Sequence, residues 1–125
     1  MNILAFDTAF DACSVAAARG LRSLTPAICP LFESMTTGHA ERLLPMIEAA
    51  LVEAKLSVED LDLIAVTTGP GTFTGARITV AAARALALVN DTPIVTLTSL
   101  KLMAMNPEAR SSGARQLAIT TDARR

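Results

Sequence analysis

The residues best suited to chemistry lie in one run, Thr67-Thr68-Gly69-Pro70-Gly71-Thr72-Phe73-Thr74-Gly75-Ala76-Arg77. Before it, Leu61 to Val66 is short, apolar and flanked by acids, which reads as a buried strand. After it, Ile78 to Val89 is alanine-rich and free of breakers, which predicts a helix. A strand, a glycine turn and a helix start together let backbone N–H groups converge on an anion. The loop lacks the Lys that completes a P-loop, and its glycines do not fit the dinucleotide fingerprint. Two readings stand for Gly69, Gly71 and Gly75: contact with a phosphate, or backbone geometry and close helix–strand packing.

Other reactive side chains are sparse. Asp7, followed by Thr8, ends the first apolar run, where a carboxylate also serves well as a turn cap. His39 is the only histidine. It opens a helical segment whose i+4 position is Leu43, so that face offers a single imidazole and no pair for a metal. A surface or capping role suits it. Cys13 and Ser14 lie within a strand with no histidine close behind, so neither forms a recognisable nucleophile–base arrangement in sequence.

The elements that must position these residues follow from composition and pattern. The chain has 125 residues, 51% hydrophobic but only 3% aromatic, without Trp or Tyr. Its core is therefore built from Ala, Leu, Ile, Val and Met. A net charge of −1 gives no global pull toward nucleic acid or anionic lipid. Cys13 and Cys29 are too few for a disulfide framework and read as buried free thiols of a reducing compartment. No basic n-region precedes the first apolar run, and no stretch reaches the ~18 apolar residues of a membrane helix. These features predict a soluble cytoplasmic protein.

Asn2–Thr8 and Ala12–Ala18 read as strands joined by a tight Phe10-Asp11 connection. Leu24–Glu33 can supply a third, an edge strand or an irregular one because of Pro26 and Pro30. His39–Lys55 reads as an amphipathic helix, with Pro45 tolerated near its first turn. Ser57-Val58-Glu59-Asp60 has the form of a capped turn. Pro93–Thr98 reads as another buried strand, Ser99 caps a short helix to about Met105, and Asn106–Gly113 reads as a polar linker. The order is β-β-β-α-β-α-β-α, a meander followed by right-handed crossovers.

Several blocks carry a family resemblance: Met1-Asn2-Ile3-Leu4-Ala5-Phe6-Asp7-Thr8-Ala9 with Ala12-Cys13-Ser14-Val15-Ala16, then His39-Ala40-Glu41-Arg42-Leu43-Leu44-Pro45-Met46-Ile47, the Gly69–Arg77 run, and Thr120-Thr121-Asp122-Ala123-Arg124-Arg125. In this order, from first residue to last, they resemble the TsaB family. The resemblance implies an RNase H-like lobe of the actin/hexokinase/Hsp70 superfamily, with a mixed five-stranded sheet and flanking helices. Residues 1–110 would form that lobe. Residues 111–125 would be a linker and the first strand of a truncated second lobe, since Leu117-Ala118-Ile119-Thr120-Thr121-Asp122-Ala123 echoes Leu4-Ala5-Phe6-Asp7-Thr8-Ala9.

The resemblance also implies a function. Members are non-catalytic partners of TsaD, which transfers threonylcarbamoyl to the tRNA adenosine beside the anticodon, usually with the ATPase TsaE in the complex. No cofactor is implied, and tRNA would be met only through the complex. In the superfamily an Asp at the position of Asp7 helps organise metal-bound phosphate, which makes Asp7, Thr8, Gly69, Gly71 and Gly75 the candidates for any nucleotide contact. An enzyme of the same superfamily, a glycoprotease-like peptidase or a phosphotransferase, is the alternative. In the family the two helices of this lobe pair with TsaD or with a second copy. Here they carry Leu43, Leu44, Ile47, Leu51, Ile78, Ala81, Ala82, Ala85 and Leu88. On the first helix Leu43, Ile47 and Leu51 form one stripe and Leu44, Met46 and Ala50 its neighbour. Which stripe covers the sheet and which the partner stays open from sequence.

Overall fold

A computed structural model describes residues 1–113 and 115–121. Five strands form one mixed sheet in the order β3-β2-β1-β4-β5. They are β1 (Ile3–Asp7), β2 (Ala12–Arg19), β3 (Ala27–Ser34), β4 (Leu63–Thr67) and β5 (Ile94–Leu97). β1 and β2 are antiparallel with Ala5 opposite Ala16, and β2 and β3 continue the meander with Ala16 opposite Pro30. β4 joins β1 in parallel and β5 joins β4 in parallel. Pro30 lies on an edge strand, where only one side of the backbone has a ladder partner, so a missing N–H is tolerated better than in a central strand.

Helices α1 (His39–Ala54) and α2 (Phe73–Ala87) cover one face of the sheet. The period-two alternation sends Leu4 and Phe6 of β1, Cys13, Val15 and Ala17 of β2, Cys29 of β3 and Ile64 and Val66 of β4 toward them. From α1, Leu43, Met46, Ile47, Ala50, Leu51 and Ala54 fill the same core. From α2 the buried positions are Gly75, Thr79 and Ala83, spaced four apart on one line. The other face of the sheet is floored by Ala5, Ala16 and Ala65 and rimmed by Phe32 and Leu102, forming a shallow groove of about 350 Å³.

Several expectations are corrected. Pro45 is the seventh residue of α1, well past the first turn. It faces solvent, so the Glu41 carbonyl that loses its N–H partner can be hydrated, which is why the helix continues. β5 is an edge strand rather than a buried one, because it pairs only with β4, and Val95 is 45% exposed. Thr98, not Ser99, caps the helix α3 (Ser99–Ala104): its extended backbone lets its hydroxyl accept the Lys101 N–H at 3.1 Å. The expected linker holds a short helix α4 (Pro107–Ser111), started by Pro107 and capped by Asn106 Oδ1, which accepts the Glu108 N–H at 3.0 Å. Residues 115–121 carry no strand, and 122–125 lie outside the described residues.

The turn at Ser57–Asp60 is a capping box as expected. The Asp60 carboxylate accepts the Ser57 N–H at 2.8 Å and hydroxyl at 2.9 Å. Those bonds stabilise its ionised form and hold its pKa below the usual carboxylate range.

The two leucines at the middle of α1 separate cleanly. Leu43 is 1% exposed and Leu44 56%. Leu43→Ala is expected to lower unfolding free energy by about 2–5 kcal/mol. Leu44→Ala should change it by less than about 0.5 kcal/mol. Urea unfolding of both variants checks the assignment; equal losses would mean that α1 is rotated on the sheet.

Candidate functional site

Two turns meet at the ends of β1 and β4. Asp7 Oδ1 accepts the Ala9 N–H at 3.2 Å and the Thr67 hydroxyl, so the carboxylate closes its own turn and ties it to β4. Thr8 is fully buried. Its hydroxyl donates to the Gly75 carbonyl at 2.8 Å, its N–H donates to Thr79 Oγ1 at 3.1 Å, and Thr79 returns its hydroxyl to Thr8 Oγ1 at 2.8 Å. The direction of the last bond follows because the Thr8 hydroxyl proton is already directed at a carbonyl.

The glycine run wraps this turn. The Thr72 N–H donates to the Ala9 carbonyl at 2.7 Å, and Thr68 N–H to the Leu97 carbonyl at 3.0 Å. Gly75 N–H donates to the Thr72 hydroxyl, the N-cap of α2, at 3.1 Å. Gly69 has a φ of +95°, and its carbonyl accepts the Ser99 N–H at 2.8 Å. A Cβ on Gly71 would overlap the Ala9 carbonyl oxygen, and one on Gly75 the Thr8 carbonyl oxygen. The donors of Thr68, Thr72 and Gly75 thus point into the protein, which supports the packing reading of the glycines over a phosphate cradle.

Of the sequence candidates, the structure brings Asp7, Thr8, Gly71 and Gly75 together, with Gly69 at the far side of the same loop. It adds Thr79, which sequence reasoning missed. The available signal was a polar residue on the Gly75–Thr79–Ala83 line, where an apolar one would otherwise be expected. His39 stands apart: its Nε2 donates to the Phe10 carbonyl at 2.9 Å, fastening the start of α1 to the β1–β2 turn. Burial, then the nearby Glu33 carboxylate, push the Cys13 thiol up, which makes it a poor nucleophile. Cys13 and Cys29 are both buried free thiols, as the sequence implied.

The helix surfaces also resolve. Leu43, Ile47 and Leu51 are buried against the sheet, as are Met46 and Ala50, so none lines an outer surface. The reason is that α1 sinks between β2 and β3 over the small residues Cys13, Ala17 and Cys29, which leaves room for a wide apolar arc. Ile78 and Ala82 are half-buried and pack on the core from α2. Leu44, Ala81, Ala85 and Leu88 remain exposed, Leu88 at 84%. Phe73 and Val52 join them, each 70% exposed. A groove of about 600 Å³ runs from Thr68 along α2 to Arg84, and the Arg77 guanidinium lies 3.7 Å from the Phe73 ring centre. Among the described residues no helix is long and apolar enough to cross a membrane.

Gly75→Ala is expected to lower stability by about 2–4 kcal/mol, since the clash is with backbone that cannot step aside. Thr79→Val, nearly isosteric, should cost about 1–3 kcal/mol by leaving the Thr8 N–H without an acceptor. Chemical denaturation of the two variants would refute the locked-turn assignment if either matched wild type.

The architecture has counterparts among known proteins. The family model described as TsaD, tRNA N6-adenosine threonylcarbamoyltransferase, matches residues 28–125. The Escherichia coli (strain K12) tRNA threonylcarbamoyladenosine biosynthesis protein TsaB is 37% identical over 99% of this chain and 51% of its own length. A tRNA N6-adenosine threonylcarbamoyltransferase of Novosphingobium aromaticivorans is 39% identical over 60% of this chain and 21% of its own. The solved structure of YeaZ from Pseudomonas aeruginosa superposes with a TM-score of 0.76 at 35% identity, covering 82% of this chain and 46% of that one. The chain spans about half the length of the curated TsaB relatives it matches. On the family match over residues 28–125, the 37% identity to a TsaB and the superposition on YeaZ, the chain belongs to the family described as TsaD, and within it is TsaB/YeaZ-like.

Proposed function

We propose that this chain is a non-catalytic partner subunit that supports a TsaD-type transferase in forming threonylcarbamoyladenosine in tRNA, in the cytoplasm. The observation that carries the reading is the outer surface of α2. Phe73, Ala81, Ala85 and Leu88 leave an apolar surface beside Leu44 and Val52 of α1 that the chain's own sheet does not cover. Surfaces of this kind mark partner contacts in soluble proteins. The candidate chemical groups, in contrast, are engaged in holding the fold: Asp7 closes a turn, and Thr8 and Thr79 bond to each other and to the backbone.

The similarity to both a TsaB and a transferase supports the choice of partner. Two proteins sharing one lobe can pair through like surfaces, so a surface that fits a second copy of this chain also suits the related lobe of a transferase. The self-associated form would be a two-fold dimer, and an ATPase of the TsaE type would join the complex with the transferase. We keep as a proposal only that residues 111–125 form a linker into a second lobe, since residues 115–121 carry no strand.

Co-purification with the transferase from the same source tests the reading. Wild type should be captured stoichiometrically, while Ala85→Glu and Leu88→Glu, both on exposed positions, should weaken capture at least about ten-fold, as buried unpaired charges do at interfaces. Capture unaffected by both substitutions would place the partner surface elsewhere. Transfer activity of the isolated chain would overturn the non-catalytic assignment.

A further inference from the structure

The face of the sheet turned away from α1 and α2 holds the groove of about 350 Å³. Its floor follows from strand register. Ala16, Ala5 and Ala65 stand opposite one another on three neighbouring strands, β2, β1 and β4. The same row ends in Pro30 on β3 and Val95 on β5. Three methyl groups side by side leave a hollow about 10 Å wide, two strand spacings. Phe32 closes it on the β3 side, and Leu97 and Leu102 on the β5 side. A hollow closed at both ends suits a compact molecule better than a chain passing through.

One edge of the hollow is charged. Asp7 lines it two residues along β1 from Ala5, a rise of about 6.7 Å, and is the one charged residue among those that do. Its Oδ1 is committed to the turn, accepting the Ala9 N–H and the Thr67 hydroxyl. Its Oδ2 accepts no hydrogen bond among the described residues. Ser14 stands opposite Asp7 on β2 and lines the same edge. The Ser14 hydroxyl donates to the Asp7 carbonyl at 3.5 Å, which leaves the lone pairs of Oγ to accept. Two acceptor oxygens, one of them charged, thus border an otherwise apolar floor.

We infer that the groove binds a small primary amine with an apolar body, an arylalkyl- or alkylammonium. The ring or short chain lies on the three alanines, and the ammonium donates to Asp7 Oδ2 and Ser14 Oγ. An apolar cavity of this size with a few polar groups at one side is the form that small-molecule sites take. Charge sets the class of ligand. A carboxylate would face Asp7 with like charge, and a neutral hydrocarbon would cover both acceptors without bonding them. An ammonium has three donors, two for Asp7 and Ser14 and one for water. The distance from the alanine row to the Asp7 row leaves room for a short methylene arm between ring and nitrogen. The groove lies on the face opposite α2, so the inference does not depend on the partner-surface reading above.

Titration of the isotope-labelled chain, followed through its backbone amide resonances, tests the site. The probes are 2-phenylethylamine, 3-phenylpropionate, which keeps the body and reverses the charge, and methylamine, which keeps the charge and lacks the body. Phenylethylamine should give saturable shifts at Ala5, Ala16 and Ala65, with phenylpropionate at least about ten-fold weaker and methylamine without saturation. Asp7→Asn keeps an acceptor for the turn and removes the charge, and should weaken the amine about ten-fold. Ala16→Leu fills the hollow from an outward position, so it should abolish binding without lowering the melting midpoint. It carries the test on its own if Asp7→Asn does not fold. Equal binding of amine and carboxylate would overturn the ligand class. Absence of saturable shifts with the amine, or shifts that persist in Ala16→Leu, would overturn the site.

Discussion

The contact on which this fold depends is carbonyl against glycine: the Thr8 and Ala9 oxygens lie where Gly75 and Gly71 would otherwise carry a Cβ. Because nothing stands between them, the start of α2 comes directly up to the end of β1. The Thr72 N–H then reaches the Ala9 carbonyl, and the Thr8 hydroxyl reaches the carbonyl of Gly75. Once that end is fastened, the rotation of α2 is determined. Thr79 meets Thr8, Ala83 falls on the core, and the opposite side of the helix carries Phe73, Arg77, Ala81, Arg84 and Leu88 outward. The outward ridge is therefore a consequence of two missing methyl groups at the inner end of the same helix.

Much of this was legible in the residues. β1 and β2 read as strands joined by a tight connection, Pro26 and Pro30 marked an edge or an irregular strand, and the capped turn at Ser57–Asp60 followed from its own side chains. The glycine run announced a tight strand-to-helix passage, although its spacing alone did not say whether its N–H groups faced a ligand or a carbonyl. The helix surfaces were not legible. α1 is apolar on neighbouring stripes, and only the small side chains of β2 and β3 beneath it decide that Met46 and Ala50 join Leu43, Ile47 and Leu51 in the core while Leu44 stays outside. β5 was misread for a related reason. A short, mostly apolar run looks the same at the edge of a sheet as at its centre, and only pairing distinguishes them. Thr79 was overlooked because a threonine among alanines reads as a surface residue until its buried partner is known.

The hydroxyls show how a turn with the makings of a site becomes structural. Thr8, Thr67, Thr72 and Thr79 all have their oxygens engaged with the backbone, with each other or with Asp7. Buried polar groups satisfied in this way are worth little net energy each, yet leaving any one unpaired costs the full desolvation of its neighbour. Such a network specifies one geometry without being chemically available. It also explains why reactivity cannot be inferred from residue type here: the same Asp and Thr, with these bonds free, would be reasonable phosphate or metal ligands.

A lobe held this way is rigid where it is buried and free to vary where it faces outward. The inner line Gly75–Thr79–Ala83 is constrained by contact with β1 and the core, so any change there is felt by the fold. Among the described residues the outer line takes no part in the core, and its mixture of apolar and charged residues has a different logic. Exposed Leu and Phe side chains supply affinity but little selectivity, since they favour any apolar partner. The fold thus constrains the inner line, while the outer line can change without disturbing it.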